Sequence, residues 1–408
     1  MFGFSNIFRR IKSSNKSARL LYLAVLMLFF FCLFDGLLTN LMPLLMTQNG
    51  ISETLMGTII GFSAMFGLFF DFWLCRLLKN VHYRRIYLLM FLIAAVFLLL
   101  LWQAETVTVF LLGMALWGLY YDLFSIANID LVTDTTTKSD YSSGFGWLRV
   151  FVGLGYLVAT VVAGFFMSQR VGASFFVTTG MVWILAMIVW VVLNLAGNEH
   201  KPISMVEKKI GLGRELGLWS RIGRRIFPVL LITFLINVID AFFWVVGPLL
   251  VHDLLREHSW GAWFITLYLL PLLITGWLVG RVSARLGKKK TALVALGLGF
   301  VVLGLFVYFD QSGWLLVLSF LSSFFISFAW PAVTGAYADY VQENPALARE
   351  IETLQDSFTN LGFVVGPVLA GWLAESYGHV WSFSVLGWMG LVMVTVLWLA
   401  MPRRISLS

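Results

Sequence analysis

Charge and cysteine are scarce in this sequence. Only 12% of its 408 residues are charged, whereas 60% are hydrophobic. Soluble domains carry about 25% charged residues, so this balance excludes an ordinary soluble protein and indicates a chain that lies in lipid. The two cysteines, Cys32 and Cys75, both fall inside apolar runs. That placement excludes a disulfide framework and a zinc cluster, and it is typical of buried thiols.

Long apolar runs fill most of the chain. A helix needs about 20 mostly apolar residues to cross the hydrocarbon core of a bilayer. Runs of that length predict six spans before a polar stretch, at residues 20–46, 52–78, 85–103, 107–132, 146–168 and 174–196. Six more are predicted after it, at residues 226–251, 259–284, 290–309, 313–339, 357–375 and 381–401. The runs are too long for barrel strands and do not alternate, so twelve α-helices are predicted.

Lysine and arginine concentrate in every second connecting segment. If the N-terminus is cytoplasmic, only Arg170 and Arg256 of the 28 basic residues fall outside the cytoplasmic segments. The positive-inside rule therefore predicts a multi-pass protein of the plasma or inner membrane with both termini in the cytoplasm. Residues 1–19 are expected to form a cytoplasmic segment, either an interfacial helix or a disordered basic tail. Residues 402–408 are expected to form a cytoplasmic tail.

The two halves of the chain repeat one pattern. Residues 34–46 read FDGLLTNLMPLLM and residues 239–251 read IDAFFWVVGPLLV, which aligns Asp35 with Asp240. Two further matches, ANIDLV with AYADYV and LGYLVATVVAG with LGFVVGPVLAG, keep the same order and nearly the same separation. The sequence therefore predicts two parallel six-helix halves at 20–196 and 226–401, joined by a cytoplasmic linker at 197–225.

Two motifs resemble those of a known family. Residues 280–290 read GRVSARLGKKK, which is similar to the signature of the major facilitator superfamily, although Ala284 replaces the usual acid. The pattern Gly362-x-x-x-Gly366-Pro367 in the eleventh predicted span is similar to the family's Gly-Pro signature. The resemblance implies an all-α polytopic membrane protein, with 12 transmembrane helices in two pseudo-symmetric six-helix bundles. It also implies a secondary transporter that works by alternating access.

Acids, but no lysine or arginine, lie deep in the predicted spans. A charge there costs at least about 2.5–3.5 kcal/mol, so each acid needs an explanation. Asp35 and Asp240 are aligned in the repeat, and the resemblance places their spans along a central cavity. We expect them to bind a proton or a cationic group of the substrate. Alternatively, they are hydrogen-bonded to neighbouring helices without a role in transport. Asp122 is either a third cavity acid or a partner of Arg149.

Polar and aromatic residues at helical spacing predict the wall of this cavity. The predicted wall residues are Thr39, Tyr121, Ser125, Asn128, Thr233, Asn237, Trp244, Ser323, Ser327, Trp330, Thr334 and Tyr337. The alternative is close helix packing through serine and threonine hydrogen bonds. The size of Tyr121, Trp244 and Trp330 favours the cavity.

Acids beside basic loops predict a cytoplasmic gate. Asp130 and Asp339 are aligned in the repeat and lie at cytoplasmic helix ends. The resemblance implies a gate latch in which Arg84, Arg85 or Arg285 is the basic partner. A structural salt bridge is the alternative for the same residues.

The predicted function is transport of a small neutral or cationic organic solute, coupled to protons. The lack of a deep cation disfavours anionic substrates, which need arginine or lysine. A proton-driven exporter of drugs is one alternative, and a receptor or scaffold without transport is another. The sequence contains no enzyme motif, so we expect no catalytic residues, no cofactor and no metal. Expected partners are a small-molecule substrate, protons and the lipid bilayer, with no nucleic acid, and we expect a monomer.

Overall fold

The structure is a computed structural model that describes residues 15–78, 81–135, 141–167, 171–196, 212–309, 311–344 and 347–400. The first half of the chain forms α1 (Asn15–Gln48), α2 (Glu53–Leu77), α3 (Tyr83–Trp102), α4 (Val107–Thr135), α5 (Tyr141–Met167) and α6 (Ala173–Ala196). The second half forms α7 (Leu212–Val245), α8 (Gly247–Glu257), α9 (Trp263–Ile274), α10 (Gly276–Leu286), α11 (Lys288–Gly304), α12 (Ser312–Glu343), α13 (Ala348–Tyr377) and α14 (His379–Ala400). Residues 1–14, 197–211 and 401–408, which hold most of the predicted tails and linker, lie outside the described residues.

Most of the helices are long enough to cross a bilayer. By length and composition, 10 described helices qualify, and a pair bent by 67°, Ser259–Ile274 with Leu278–Leu286, would make 11. In addition, α2 covers the predicted second span at 52–78. The prediction of an all-α polytopic membrane protein is confirmed, and the number of twelve spans stays a prediction.

Proline and glycine explain where predicted spans break. The predicted span 226–251 is divided between α7 and α8, and Pro248 lies in the first turn of α8, where its missing N–H costs nothing. Pro271 lies inside α9, just before the bend in the predicted eighth span. Gly287 separates α10 from α11 with φ 83° and ψ 144°. Essentially only glycine adopts that conformation, which explains the glycine of the 280–290 motif.

The chain divides into two compact units. The first comprises Met1–Leu41, Phe69–Phe166 and Val171–Met205, and the second comprises Met42–Leu68, Met167–Arg170 and Val206–Ser408. Both α1 and α2 therefore contribute residues to each unit. Within the first unit, α3 packs against α4 and α6. Within the second unit, α11 packs in the same way against α12 and α14, and α7 packs against α13.

One helix contact recurs in both units at aligned residues. In the first unit, a Cβ added to Gly155 of α5 would lie 2.6 Å from the backbone oxygen of Phe29 in α1. In the second, a Cβ added to Gly362 of α13 would lie 2.9 Å from the backbone oxygen of Phe234 in α7. Both glycines let two backbones approach closely, as small residues do in membrane helices. The recurrence supports the internal repeat, whose division at residues 197–225 stays a prediction.

Candidate functional site

A buried polar cluster of the first unit surrounds Asp35. This residue is 1% exposed, and its carboxylate accepts three hydrogen bonds from two other helices. Trp117 Nε1 donates to Oδ1 at 3.0 Å, the Tyr120 hydroxyl donates to the same oxygen, and the Tyr156 hydroxyl donates to Oδ2 at 2.6 Å. Since all three donors are neutral, they solvate the carboxylate without cancelling its charge.

Close packing of α1 on α5 brings this cluster together. A Cβ added to Gly36 would lie 2.6 Å from Ala159 Cβ and 3.0 Å from a ring carbon of Tyr156. Because Gly36 follows Asp35 directly, the same contact places the Tyr156 hydroxyl at the carboxylate. Tyr156 also hydrogen-bonds to the buried thiol of Cys32, one turn earlier on α1. The local sequence thus builds a desolvated carboxyl site with hydroxyl, indole and thiol neighbours.

Asp240 has fewer partners in the second unit. It is half-buried, and its Oδ1 accepts a hydrogen bond from the Tyr268 hydroxyl of α9 at 2.9 Å. The side chain of Trp244, one turn later on α7, hydrogen-bonds to it as well. Tyr268 is held in place by stacking on Phe243, with ring centroids 3.7 Å apart. Aromatic donors thus meet both aligned acids, and a cavity shared by the two stays a prediction.

Several of the predicted wall residues are buried in helix contacts of the second unit. The hydroxyls of Thr233 and Tyr337 hydrogen-bond to each other at 2.8 Å, and both residues are buried. Ser323 donates to the backbone oxygen of Tyr268, and Ser327 accepts a hydrogen bond from Thr275 at 2.8 Å. These contacts are those expected from the packing alternative, so a cavity role for these four stays a prediction.

The remaining wall residues differ in exposure. Asn237 is buried and donates to the backbone oxygen of Thr233, whereas Asn128 is buried and accepts a hydrogen bond from the Tyr87 hydroxyl at 2.7 Å. Tyr121, Ser125 and Thr334 are exposed, and Trp244 and Trp330 are half-buried. Thr39 is half-buried, and its hydroxyl donates to the backbone oxygen of Asp35 at 2.8 Å. Within the first unit, Tyr121 and Ser125 therefore lie on an exposed face of α4, and a cavity role for them stays a prediction.

The predicted gate residues have specific neighbours. Asp339 pairs with Lys288 at 2.5 Å, and Lys288 also donates to the backbone oxygen of Gly335 at 3.0 Å. Arg285, a partner suggested by the sequence, is exposed and makes no ion pair among the described residues of its unit. Lys288 begins α11, and its ammonium contacts both Asp339 and Gly335 of α12, whereas Arg285 lies in the last turn of α10 with its side chain exposed.

The other predicted acids and arginines lie in the first unit. Arg84 is buried and donates to the backbone oxygen of Asn194 at 3.4 Å, whereas Arg85 is exposed. Asp122 and Asp130 are both half-buried on α4. The roles proposed for these four residues stay predictions.

Sequence reasoning missed the donors around the two acids. The predicted polar stripe on α4 passes through Tyr121 and Ser125, whereas the neighbouring face carries Trp117 and Tyr120, which donate to Asp35. Tyr156 is the residue of the motif LGYLVATVVAG that its repeat, LGFVVGPVLAG, replaces with phenylalanine, at Phe363. A polar atom unique to one copy of a repeat is a usable signal. Nothing comparable marked Tyr268.

The family follows from comparison with known proteins. A family model described as Major Facilitator Superfamily matches residues 24–256 and again residues 229–407. These matches cover nearly the whole chain. The protein therefore belongs to the major facilitator superfamily, and it is a multi-pass membrane transporter.

Two curated proteins are similar to this chain over most of its length. The chain is 25% identical over 378 residues to the class B tetracycline resistance protein of Escherichia coli, and the match covers 88% of each chain. It is 24% identical over 326 residues to the multidrug resistance protein MdtG of Salmonella paratyphi C (strain RKS4594), covering 76% of each.

Solved structures share the fold. The nucleoside transporter NupG matches with a TM-score of 0.76 at 14% identity, covering 96% of this chain and 100% of that one. A POT family transporter in complex with 5-aminolevulinic acid matches with a TM-score of 0.73 at 12% identity, covering 94% and 96%. At such identities the likeness supports the fold alone.

Proposed function

We propose that this protein is a proton-coupled secondary transporter that moves a small neutral or cationic organic molecule by alternating access. The observation that carries the proposal is the Asp35 carboxyl, which is 1% exposed and bonded to three neutral donors. Among the described residues of its unit, no lysine or arginine pairs with it. A buried carboxylate without a counter-ion is costly, and binding a proton removes that cost.

Coupling requires that the carboxyl exchange its proton with each side of the membrane in turn. Hydroxyl and indole donors suit this task because they stabilise the charged form by hydrogen bonding yet leave it free to take a proton. A lysine or arginine partner would hold the carboxylate in its charged form throughout. Asp240, with Tyr268 and Trp244, is the second proposed proton or cation site.

The proposed substrate is apolar or cationic. No lysine or arginine lies deep in the predicted spans, and anions need such partners. Tyr121 and Ser125 are exposed on α4, and the half-buried ring of Trp117 lies next to Tyr121, with the two ring centroids 5.7 Å apart. Aromatic faces attract flat apolar rings and organic cations.

For the direction of transport, the second candidate function is export from the cell. The relatives at 25% and 24% identity carry names of resistance to tetracycline and to multiple drugs, which favours movement out of the cell. We propose accordingly that the chain lies in the inner membrane as a monomer, with both termini in the cytoplasm. In this orientation Asp130 and Asp339 face the cytoplasm, where they form the proposed gate, and the linker 197–225 joins the two halves there.

A screen followed by a transport assay tests the proposal. Purified protein is screened for thermal stabilisation by tetracycline, ethidium, nucleosides and organic phosphates, since a bound ligand stabilises by mass action. We expect shifts from the first two and none from the phosphates. The best ligand is then followed in proteoliposomes with a proton gradient imposed and later collapsed. Accumulation that dissipates with the gradient supports coupling, whereas accumulation indifferent to the gradient contradicts it.

A further inference from the structure

A histidine joins two carboxylates of two other helices in the second unit. His379 begins α14; its Nδ1 lies 2.5 Å from Asp253 Oδ2 of α8, and its Nε2 lies 3.0 Å from Glu53 Oε1 of α2. The imidazole side chain is 19% exposed, and the carboxylates are 24% exposed at Glu53 and 46% at Asp253. Three helices are therefore joined through one side chain at their ends.

The two contacts of this triad require one more proton than a neutral imidazole and two ionised carboxylates carry. Each of the two nitrogen–oxygen contacts needs a hydrogen between its atoms. A neutral imidazole carries one N–H, so with two ionised carboxylates one contact would place two lone pairs against each other. The second hydrogen makes His379 an imidazolium or sits on a carboxyl oxygen, and in either case the triad has bound one proton.

None of the described groups around the triad supplies a positive charge in place of this proton. Glu53 Oε2 is buried and has no hydrogen-bond partner among the described residues. Glu375 of α13 accepts the backbone N–H of Thr54 at 2.8 Å and adds a further negative charge nearby. On α8, Arg256 contacts His252, whose ring meets the backbone oxygen of Met167, so this arginine is engaged beside the triad and not within it.

The triad lies beside a close approach of α2 and α13. A Cβ added to Gly57 or to Gly371 would lie 3.2 Å from the Cα of the other, and the Cβ added to Gly371 would lie 2.1 Å from the backbone oxygen of Glu53. The contact of α2 with α13 is therefore one between backbones, whereas the triad links the same end of α2 to α8 and α14. In the proposed orientation all these ends face outward.

We propose that Glu53, Asp253 and His379 form a proton-binding latch that holds the outer ends of α2, α8 and α14 together. The latch rests on the proposed alternating-access function and orientation. The sign is fixed by the chemistry: the proton-bound form is closed, so the latch is complete at low pH and is lost as pH rises. A proton taken from outside then closes the outer side, which is the step that returns a proton-driven exporter to its inward-open state.

The test measures closure without measuring transport. Spin labels at Leu55→Cys on α2 and Trp381→Cys on α14, with Cys32 and Cys75 replaced by serine, report the distance between the two helix ends in liposomes. We expect one short distance at acidic pH and a longer or broader distribution at alkaline pH. His379→Gln, which keeps polar ends but cannot hold the extra proton, is expected to lose the pH response.

The matched control is His258→Gln. This exposed histidine stacks on Trp260 in the connection after α8 and should leave the pH response intact. Nitrogen NMR of the imidazole rings gives a second readout, in the protein with an intact triad. The His379 signal, assigned by its absence in His379→Gln, should be that of a doubly protonated ring or of a ring that shares a proton with a carboxyl. If the distance between the two spin labels does not change with pH, or if the pH response persists in His379→Gln, the latch proposal is wrong. Since neither readout uses substrate, failure of coupling at Asp35 leaves this result untouched.

Discussion

At the scale of single residues, the physical problem is a buried charge. Asp35 lies in low-dielectric surroundings with Trp117, Tyr120 and Tyr156 as its partners. Each donor stabilises the carboxylate, and an unpaired oxygen there is expensive. The hydroxyl of Tyr156 is informative because, among the described residues of its unit, it alone donates to Oδ2, whereas Oδ1 has two donors.

Tyr156→Phe should therefore destabilise the protein by about 1–3 kcal/mol, the usual cost of a buried acceptor left without its partner. In an Asp35→Asn background the same change should cost less, because the carboxylate charge is gone. Thermal unfolding of the four variants in detergent gives the coupling. Tyr22→Phe, at an exposed position on α1, is the control and should change nothing. Equal costs in both backgrounds would contradict a direct link between Tyr156 and the carboxylate.

At the scale of helices, close approach governs the structure. The α1–α5 and α7–α13 pairs touch at Gly155 and Gly362, aligned residues of the two repeats. Lipid offers apolar helices little drive to associate, so backbone proximity and the dispersion it brings hold such pairs together. The position of the Tyr156 hydroxyl at Asp35 depends on the close approach of α1 and α5.

Gly155→Ala is expected to force α1 and α5 apart, because the new Cβ would lie 2.6 Å from a backbone oxygen that cannot move alone. A cost of about 1–3 kcal/mol is typical of overpacking. Gly146→Ala is the matched control on the same helix, since nothing lies within 4 Å of a Cβ there. That variant should be neutral or slightly stabilising, as alanine favours helix. Thermal unfolding compares the two, and similar losses in both would show that the close contact does not matter.

Much of this architecture is predictable from sequence, for reasons visible in particular residues. Apolar runs gave the helices, and the matched positions of Asp35 and Asp240 gave the repeat, because length and spacing are local properties. The Trp117, Tyr120 and Tyr268 contacts are not local: they depend on which face of a helix turns towards a neighbour. In the triad, His379 contacts Glu53, which lies 326 positions earlier in the sequence, and no pattern in a single sequence predicts such a contact.

At the scale of the whole molecule, the repeat predicts how the two halves superpose, and the gate predicts which conformational state is populated. Superposition of the two halves in an experimental structure should place Asp35 on Asp240 and Asp130 on Asp339. The recurring contacts of Phe29 with Gly155 and Phe234 with Gly362 lead us to expect it. If either acid pair fails to superpose, the two-fold interpretation is wrong.

The gate proposal now centres on Lys288 and Asp339. Asp339→Asn and Lys288→Gln should shift the balance of inward-open and outward-open states in the same direction, because each breaks the same ion pair. Arg285→Gln, at an exposed position without an ion pair among the described residues of its unit, should have a smaller effect. Distances across the cytoplasmic side, measured between spin labels, report the balance. No change in the first two variants, or an equal change in all three, would remove the gate role.

The most direct test of the proposed mechanism is gradient-driven accumulation in proteoliposomes by Asp35→Asn and Asp240→Asn, with Glu352→Gln as an exposed-acid control on α13. If a proton carried by these carboxyls drives transport, neutralisation of either should abolish accumulation. Exchange of substrate across an equilibrated membrane should survive in at least one variant, and the control should match the unmodified protein. If the acids bind a cationic substrate instead, both variants should lose binding itself. Accumulation that continues unchanged in both single variants and in the double variant would contradict any role of these carboxyls in coupling or in binding.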